Sequence, residues 1–220
     1  MKRKIITTSD GSKTIHIEDW NEQYHSIHGA VQEAYHVFIK SGLTLFKDRS
    51  ISILEIGFGT GLNALVTCVE AINLGLKVDY IGVEAYPVSL EEIEQLNYIE
   101  QLKANSFEDD FRKMHAMAWE ESLPITDCFQ LHKQCKDFME IQDVDRFDLV
   151  YFDAFGARVQ PELWTQDIFS IMYKALKTNG ILVTYAAKGS VRRAMQAVNF
   201  SVERLPGPPG KREMLRATKL

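Results

Sequence analysis

Glu55, Gly57, Gly59 and Gly61 are residue types suited to holding a small ligand, and they lie together in the sequence E-I-G-F-G-T-G-L-N of residues 55–63. Glycine is favoured where the backbone takes positive φ or passes within contact distance of a ligand. A carboxylate two residues before the first glycine adds a charged hydrogen-bond acceptor. The set therefore predicts a cradle for a nucleotide-like ligand.

The flanking residues predict the elements that position this set. Residues 51–56 are apolar and rich in β-branched side chains, which indicates a buried strand. Residues 62–74 have a helical pattern, and a helix N-terminus supplies free N–H groups beside the glycines. The spacing G-x-G-x-G is tighter than the G-x-G-x-x-G of dinucleotide folds. With its preceding acid, it resembles the first motif of Rossmann-like S-adenosylmethionine methyltransferases. A dinucleotide enzyme and an incidental glycine turn remain alternatives at this point.

Two further acids end predicted strands. Glu84 closes the strand of residues 77–84, and Asp153 closes the strand of residues 146–153, two residues before Phe155. Ligands of doubly wound sheets bind outside the carboxyl ends of the strands. Glu84 is therefore expected to accept both ribose hydroxyls of an adenosine, with Asp153 facing the same crevice.

The remaining elements complete an α/β pattern with an N-terminal addition. Residues 4–8 and 13–17 predict a β-hairpin, and residues 24–40 predict an amphipathic helix. Residues 89–121 predict an acid-rich helical region, residues 127–132 a third strand, and residues 181–185 a fifth strand. Residues 201–205 and 213–218 predict a final antiparallel pair. Residues 1–48 are expected to form the hairpin and helix extension, and residues 49–220 the core. The polar cluster 133–137 after the third strand is the expected adenine contact.

Composition limits the class of protein. A chain of 220 residues with 45% hydrophobic content suits one α/β domain. No apolar run reaches the roughly 18 residues of a membrane helix, and the N-terminus lacks a signal-peptide pattern. Three cysteines without a C-x-x-C pair suit a reducing compartment. A cytoplasmic protein without a membrane partner is expected.

No metal site is expected either. His25 and His28 are three residues apart, but no third ligand follows at metal-binding spacing. A structural or hydrogen-bonding role is the simpler interpretation of both imidazoles.

Charge is distributed unevenly along the chain. The formal net charge is −5, yet residues 186–220 contain eight Lys or Arg against two acids, a net charge of +6. A local basic face on an acidic protein favours an enzyme with a polyanionic substrate. A solvated face spread over several elements is the alternative.

Four motifs in order make a more selective resemblance. They are E-I-G-F-G-T-G-L-N, Y-F-D-A-F followed by P-E-L-W, T-Y-A-A-K-G-S-V-R-R, and G-K-R-E-M-L. Together they resemble the methyltransferase domain of the MnmC family of bacterial tRNA-modifying enzymes, over nearly the whole chain. The resemblance implies a Rossmann-like class I S-adenosylmethionine-dependent methyltransferase. Its α/β fold would have a mostly parallel sheet, an antiparallel C-terminal strand and a small N-terminal β-hairpin.

The same resemblance implies a reaction. S-adenosylmethionine would methylate the primary amine of 5-aminomethyl-2-thiouridine at the tRNA wobble position, giving the 5-methylaminomethyl product. The family pattern D-A-F-x-P-x-K-x-P is altered here, since Ala157 replaces the first proline and Val159 the lysine, with Arg158 one step away. The chain has no room for the family's flavin oxidase half. A stand-alone form is expected, with a separate enzyme supplying the aminomethyl tRNA.

The residues expected at the site fall into three groups. The catalytic group, expected to orient the amine, accept its proton and exclude solvent, is Asp153, Phe155 and Tyr185. The residues expected to bind the cofactor are Tyr24, Ser26, Glu55, Gly57, Gly59, Gly61, Asn63, Glu84 and Asp153. The residues expected to bind the tRNA are Arg158, Trp164, Lys188, Arg192, Arg193, Lys211 and Arg212.

Other classes remain open from the sequence. A methyltransferase or an aminopropyltransferase for a small amine would use the same fold and similar acids, but it would not need the basic tail. A nicotinamide-dependent reductase would favour the looser glycine spacing. A non-catalytic RNA-binding module would give no function to the acids that are expected to bind the cofactor.

Overall fold

The computed structural model describes residues 2–220, so only Met1 of the predicted 1–48 extension lies outside it. An N-terminal antiparallel sheet contains β1 (Arg3–Thr7), β2 (Lys13–Ile17) and β3 (Glu22–Gln23). The large sheet contains β4 (Ser50–Ile56), β5 (Lys77–Glu84), β6 (Ser122–Thr126), β7 (Phe129–Cys135), β8 (Phe147–Phe152), β9 (Leu176–Thr184), β10 (Phe200–Pro206) and β11 (Glu213–Lys219).

Helices cover both faces of the large sheet. They are α1 (Ala30–Ala34), which continues as a π-helix over Tyr35–Lys40, α2 (Leu62–Asn73), α3 (Leu90–Ile93), α4 (Tyr98–Leu102), α5 (Glu108–Ala116), α6 (Gln166–Ala175) and α7 (Gly189–Ala197). Short 3-10 turns occur at Leu43–Leu45, Asn105–Phe107, Phe138–Glu140 and Pro161–Trp164.

The strand order of the large sheet is β10-β11-β9-β8-β4-β5-β7-β6. The five strands from β9 to β7 are mutually parallel, and β6, β10 and β11 are antiparallel to their neighbours. The sheet reverses its winding at β4, which lies between β5 and β8. This is the topological switch point where open α/β sheets bind ligands. The expected Rossmann-like fold, with its antiparallel C-terminal strand and N-terminal hairpin, is confirmed.

Alternating side chains of the central strands form two hydrophobic cores. Ile51 and Ile53 of β4 face one layer with α2, whereas Leu54 and Ile56 face the other layer with α6. Continuous apolar sequence is needed because parallel strands are buried on both faces. Glu55 interrupts this pattern on the α2 side, where it is 1% exposed.

Most strands match their predicted positions, but two predictions were wrong. The helix expected from Tyr24 begins only at Ala30, because β3 pairs with β2 and Gly29 adopts φ 153°, a conformation that interrupts a helix. The third strand is half of a hairpin, β6 with β7, whose turn includes Asp127. No helix of residues 2–220 combines the length and apolar character needed to cross a membrane.

Candidate active site

The glycine turn after β4 joins the carboxyl ends of two neighbouring strands. Gly57 has φ 88°, and a Cβ built on it would lie 2.8 Å from the Asp153 carbonyl oxygen. Its N–H group donates to the Val83 carbonyl of β5 at 3.0 Å, and Asp153 N–H donates to Ile56 at 2.9 Å. The turn therefore needs glycine at position 57, because φ is positive and there is no space for a side chain. The hydrogen bond from Asp153 N–H to Ile56 holds Asp153 beside the turn.

Glu84 ties the glycine turn to the end of β5. Its Oε2 accepts from Gly59 N–H at 3.0 Å, and its Oε1 accepts from Tyr86 N–H at 2.9 Å. Gly59 and Gly61 both have positive φ, 49° and 71°, and Gly61 leads directly into α2. A half-buried carboxylate thus lies at the crevice, beside the free N–H groups of a helix start.

Asn63 connects two buried acids under the turn. Its Nδ2 donates to Glu55 Oε1 at 2.9 Å and to Asp153 Oδ2 at 2.8 Å. Glu55 Oε2 and Asn63 Oδ1 are buried without a hydrogen-bond partner among residues 2–220. Buried acceptors are rarely left unpaired, so these two oxygens mark a place for a donor such as an ammonium group.

Burial and neighbouring charges raise the pKa of both acids of this network. Burial, and then the nearby Asp153 carboxyl, raise the pKa of Glu55 well above its usual value. Burial, and then the charge of Glu33, raise the pKa of Asp153 well above its usual value. Two acids whose proton affinity is raised at the end of parallel strands are typical of a reactive site.

Aromatic rings form part of the wall of the crevice, and the Tyr24 ring lies against Gly59 of the glycine turn. Phe155 packs edge-on against Trp20 and Tyr24, with ring centroids 5.5 Å and 4.9 Å apart. Tyr185 donates its hydroxyl hydrogen to the Ala154 carbonyl at 2.8 Å. Burial, and then the charge of Asp153, hold the pKa of Tyr185 well above its usual value, so the phenol keeps its proton.

The crevice itself has a volume of about 450 Å³. All three residues expected to be catalytic line it. Besides Asp153, six of the expected cofactor residues line it: Tyr24, Ser26, Gly57, Gly59, Asn63 and Glu84. Glu55 does not line the crevice and is connected to it through its hydrogen bond with Asn63. Gly61, the N-cap residue of α2, does not line the crevice and lies against His115.

The expected tRNA residues do not form one group. Lys211 lines the crevice and pairs with Glu33 at 2.7 Å, rather than with the acids between residues 91 and 121. Arg158 pairs with Glu22 at 2.8 Å. Trp164 is 5% exposed, and its indole N–H donates to the Phe155 carbonyl at 2.7 Å, a contact that supports the aromatic wall.

Four of the expected basic residues have no carboxylate within ion-pair distance among residues 2–220. They are Lys188, Arg192, Arg193 and Arg212. Lys188 and Arg212 line a second cavity of about 480 Å³, which shares Gly156, Tyr185 and Lys211 with the crevice. A basic rim therefore continues from the crevice to α7.

The polar cluster 133–137, where an adenine contact is expected, is divided between the end of β7 and the crevice. Lys133 is 2% exposed, and its Nζ donates to the His115 carbonyl at 3.1 Å, 4.9 Å from the Trp119 ring centroid. Burial lowers the pKa of Lys133 to about 8. Asp137, the last residue of the cluster, lines the crevice together with Phe138. β7 begins two residues later and ends three residues later than the predicted strand of residues 127–132, so residues 133–135 belong to the strand and not to the loop.

The two histidines of the N-terminal segment have separate environments. His25 is buried, its Nδ1 is 2.8 Å from Thr14 Oγ1, and burial lowers its pKa to about 4. His28 is exposed and lies against Gly210. Within the described residues, no group of three or more His, Cys, Asp or Glu side chains is arranged to hold a metal ion.

The fold and crevice together define a class of protein: a Rossmann-like α/β enzyme with a crevice beside a glycine turn and strand-end acids at the switch point. The family model for S-adenosyl-L-methionine-dependent methyltransferases matches residues 94–220, more than half of the chain. The chain belongs to this family.

Comparisons with individual proteins agree. The chain is 25% identical over 228 residues to the tRNA 5-methylaminomethyl-2-thiouridine biosynthesis bifunctional protein MnmC of Pseudoalteromonas translucida, covering 91% of this chain and 34% of that protein. It is 26% identical to MNMC2 of Aquifex aeolicus, whose crystal structure superposes with a TM-score of 0.78 over 100% of this chain and 70% of that one. The MnmC-like character expected from the motifs is confirmed.

Two further comparisons concern the covered length of the relatives and the similarity of fold. The chain spans about a third of the length of the bifunctional relatives, 34% for the Pseudoalteromonas protein. Spermidine synthase of Thermotoga maritima superposes with a TM-score of 0.59 at 13% identity, over 100% of this chain and 74% of that one, which shows a shared fold alone.

The residues of the crevice fit S-adenosylmethionine. This cofactor carries an ammonium group, a ribose with two hydroxyls and a sulfonium. The unpaired buried oxygens of Glu55 and Asn63 match an ammonium donor, and Glu84 matches hydroxyl donors. Gly57 and Gly59 leave room for close approach of the backbone.

Sequence reasoning missed Glu33 and Trp20 as crevice residues. Glu33 is the one acid in the helix predicted at residues 24–40, and Trp20 lies in a short loop, so neither position has a recognisable motif. Their contacts arise because the N-terminal and C-terminal segments meet over the crevice, with His36 Nε2 2.8 Å from the Pro206 carbonyl oxygen. That meeting depends on tertiary packing.

We expect Glu84→Ala to weaken binding of S-adenosylhomocysteine by about 1 to 3 kcal/mol, or roughly five- to 150-fold. The change removes a charged acceptor at the ribose position and also the bond that holds Gly59 N–H. Titration calorimetry measures the affinity, and a thermal-unfolding scan of the unliganded variant separates loss of the contact from a distorted turn. An unchanged affinity would remove Glu84 from the site.

Proposed function

We propose that this protein methylates the primary amine of 5-aminomethyl-2-thiouridine at the wobble position of tRNA. The observation that carries the proposal is the crevice wall formed by Asp153, Phe155 and Tyr185, which lies beside the acids that suit the methyl donor. Further support comes from the similarity to MnmC and MNMC2 proteins over most of the chain.

The chemistry requires a neutral amine. Bound S-adenosylmethionine supplies a methyl group on a positively charged sulfur. A lysine-like amine has a pKa near 10.4, so roughly one molecule in a thousand or fewer is neutral at pH 7, and only that form has a lone pair. As the nitrogen–carbon bond forms and the carbon–sulfur bond breaks, the nitrogen must lose a proton.

Asp153 is the group we assign to this proton. Its Oδ2 is oriented by Asn63 at 2.8 Å, and its raised pKa makes it a better proton acceptor than an ordinary aspartate. Phe155 and Tyr185 exclude water and hold the target base, while Trp164 keeps the Phe155 backbone in place. Positioning of the amine in line with the breaking bond is expected to supply most of the rate.

In this proposal the ligand roles follow the geometry already described. Glu55 and Asn63 bind the ammonium group of the cofactor, and Glu84 binds its ribose. Tyr24 and Ser26 close the crevice from the N-terminal segment. The basic rim of Lys188, Arg192, Arg193 and Arg212 contacts phosphates of the anticodon stem.

The enzyme acts in the cytoplasm, where its free cysteines Cys68, Cys128 and Cys135 stay reduced. A separate enzyme supplies the aminomethyl tRNA.

A transfer assay tests the reaction directly. The protein is incubated with methyl-labelled S-adenosylmethionine and tRNA that ends its modification at the aminomethyl stage, and the tRNA is digested to nucleosides. We expect label in 5-methylaminomethyl-2-thiouridine alone. Label in a free polyamine or another small amine, with none in tRNA, would favour the small-amine alternative.

We expect replacement of Arg192 and Arg193 by alanine to raise the Michaelis constant for tRNA while leaving S-adenosylhomocysteine affinity unchanged. Each lost phosphate contact should lower the slope of log affinity against log salt by about one. Filter binding at several salt concentrations measures the slope. The matched control is Arg216→Ala, since Arg216 is paired with Glu203 at 3.2 Å and should leave the slope as it is. Identical slopes in the double variant and wild type would contradict the tRNA-binding role of α7.

A further inference from the structure

The second cavity lies beside the crevice and shares a wall with it. Its volume of about 480 Å³ is within the range of about 300 to 1,000 Å³ in which proteins bind small ligands. Gly156, Tyr185 and Lys211 line both spaces. A Cβ built on Gly156 would lie 3.6 Å from the Tyr185 hydroxyl oxygen, so these two residues form a thin partition. A ligand with two linked groups can therefore occupy both spaces at once.

The lining of this cavity is largely apolar. Apart from glycine, its uncharged residues are small, aliphatic or aromatic: Ala157, Trp164, Tyr185, Ala186, Ala187 and Val191. The rings of Trp164 and Tyr185 meet edge to face, with centroids 6.0 Å apart. Val191 and Trp164 belong to the hydrophobic core on the α6 side of the sheet, so the lining has a rigid support. Because three of the side chains are only methyl groups, a flat apolar group has space to enter.

Positive charge surrounds this apolar lining. Lys188 and Arg212 line the cavity, and neither has a carboxylate within ion-pair distance among residues 2–220. Glu213 also lines it, but its carboxylate lies 3.5 Å from the guanidinium of Arg204. The cavity is thus complementary to a flat, apolar group that carries a negative charge. A nucleotide, with its base and phosphate, has both properties.

We propose that the second cavity receives the base of one nucleotide directly next to the target nucleotide, while Lys188 and Arg212 bind its phosphate. This inference rests on the proposed function, which supplies the RNA loop and places the target base in the crevice. A base that enters an enzyme pocket must leave its stack, so the neighbouring base loses a stacking partner. Proteins that read single-stranded RNA loops receive such splayed bases on apolar and aromatic side chains. The shared partition of Gly156 and Tyr185 would separate the two bases.

The test measures binding of three anticodon stem-loop RNAs, each with 5-aminomethyl-2-thiouridine at the wobble position. One is intact, and each of the others lacks the base of one nucleotide beside the target, on the 5′ or the 3′ side. Fluorescence anisotropy gives the Kd at one salt concentration with S-adenosylhomocysteine bound. We expect wild type to bind one of the two abasic loops about fivefold or more weakly than the intact loop, because stacking of that base is lost.

Filling the cavity should remove this discrimination. Ala187→Leu and Ala157→Leu each place an aliphatic side chain in the cavity from a position that does not line the crevice, and neither offers a new ring for stacking. Each should weaken binding of the intact loop and bring its Kd close to that of the abasic loop. Ala197→Leu, exposed at the C-terminal end of α7, is the matched control and should discriminate as wild type does. Calorimetry with S-adenosylhomocysteine checks that the crevice is intact in every variant.

The cationic part of the proposal has its own variant. Lys188→Met combined with Arg212→Met should weaken binding of the intact and abasic loops alike, because the phosphate is present in all of them. The slope of log affinity against log salt should fall by about two. An unchanged slope would overturn the assignment of these two residues to the phosphate.

Loss of discrimination in the filled variants, with the control unaffected, supports the proposal. Equal affinity of wild type for all three loops overturns it, as does discrimination that persists when the cavity is filled. If Ala187→Leu does not fold, Ala157→Leu decides. Loops that are bound and methylated without discrimination would overturn this inference alone, whereas loops that are neither bound nor methylated would overturn the proposed substrate and this inference with it.

Discussion

Gly57→Ala is expected to abolish measurable binding of S-adenosylhomocysteine and to lower the free energy of unfolding by about 1 to 3 kcal/mol. The residue has φ 88°, which side chains other than glycine rarely adopt, and an added Cβ would lie 2.8 Å from the Asp153 carbonyl oxygen. Gly57 and Asp153 directly follow the paired strands β4 and β8, and their N–H groups donate to Val83 and Ile56, so the two residues cannot move independently. Relief of the clash must therefore separate the ends of β4 and β8, displacing the acids on which the ligand depends.

Titration calorimetry and thermal unfolding measure the two effects of this substitution. Gly189→Ala is the matched control, because a Cβ there would meet only the flexible end of Arg193, 3.2 Å away, and its backbone φ is not positive. The control should keep wild-type affinity and stability. A Gly57→Ala protein that binds S-adenosylhomocysteine normally would show that the turn tolerates a side chain and that the cofactor binds elsewhere on the protein.

The sequence predicted the centre of the fold well because local signals and tertiary packing agree there. Parallel strands buried on both faces require continuous apolar residues, and β5 was predicted with the bounds Lys77–Glu84 that the structure has. Acids at strand ends could be assigned to one crevice because parallel strands present their carboxyl ends at one edge. Glu84 and Asp153 follow this rule, and both line the crevice.

The periphery could not be predicted in the same way. Tyr24 begins a segment with helical spacing, but pairing of β3 with β2 and the backbone of Gly29 postpone the helix. Basic residues of the C-terminal region have equal weight in a sequence count, yet Lys211 turns inward to Glu33 while Lys188 stays exposed. Which charges find partners depends on contacts between distant segments, and no local pattern reports these.

Asp153→Asn is expected to lower the rate of methyl transfer by about 10²- to 10⁴-fold at neutral pH while keeping the affinity for S-adenosylhomocysteine. The amide has the size of the carboxyl, and its oxygen can still accept from Asn63 Nδ2, which now lies 2.8 Å from Asp153 Oδ2. Fold and crevice are therefore preserved. The amide cannot take up a proton from the amine, so only the small neutral fraction of the substrate reacts.

The pH dependence gives the sharper result for this variant. As pH rises toward the pKa of the amine, near 10.4 for a lysine-like group, solvent removes the proton and the need for an acceptor declines. The ratio of wild-type to variant rate should therefore fall with increasing pH. Single-turnover rates between pH 6.5 and about 9.5, with both proteins saturated in cofactor and tRNA, measure this ratio. A ratio that stays constant across the range would identify Asp153 as a group that orients the amine, and a ratio near one at neutral pH would leave proton removal to water.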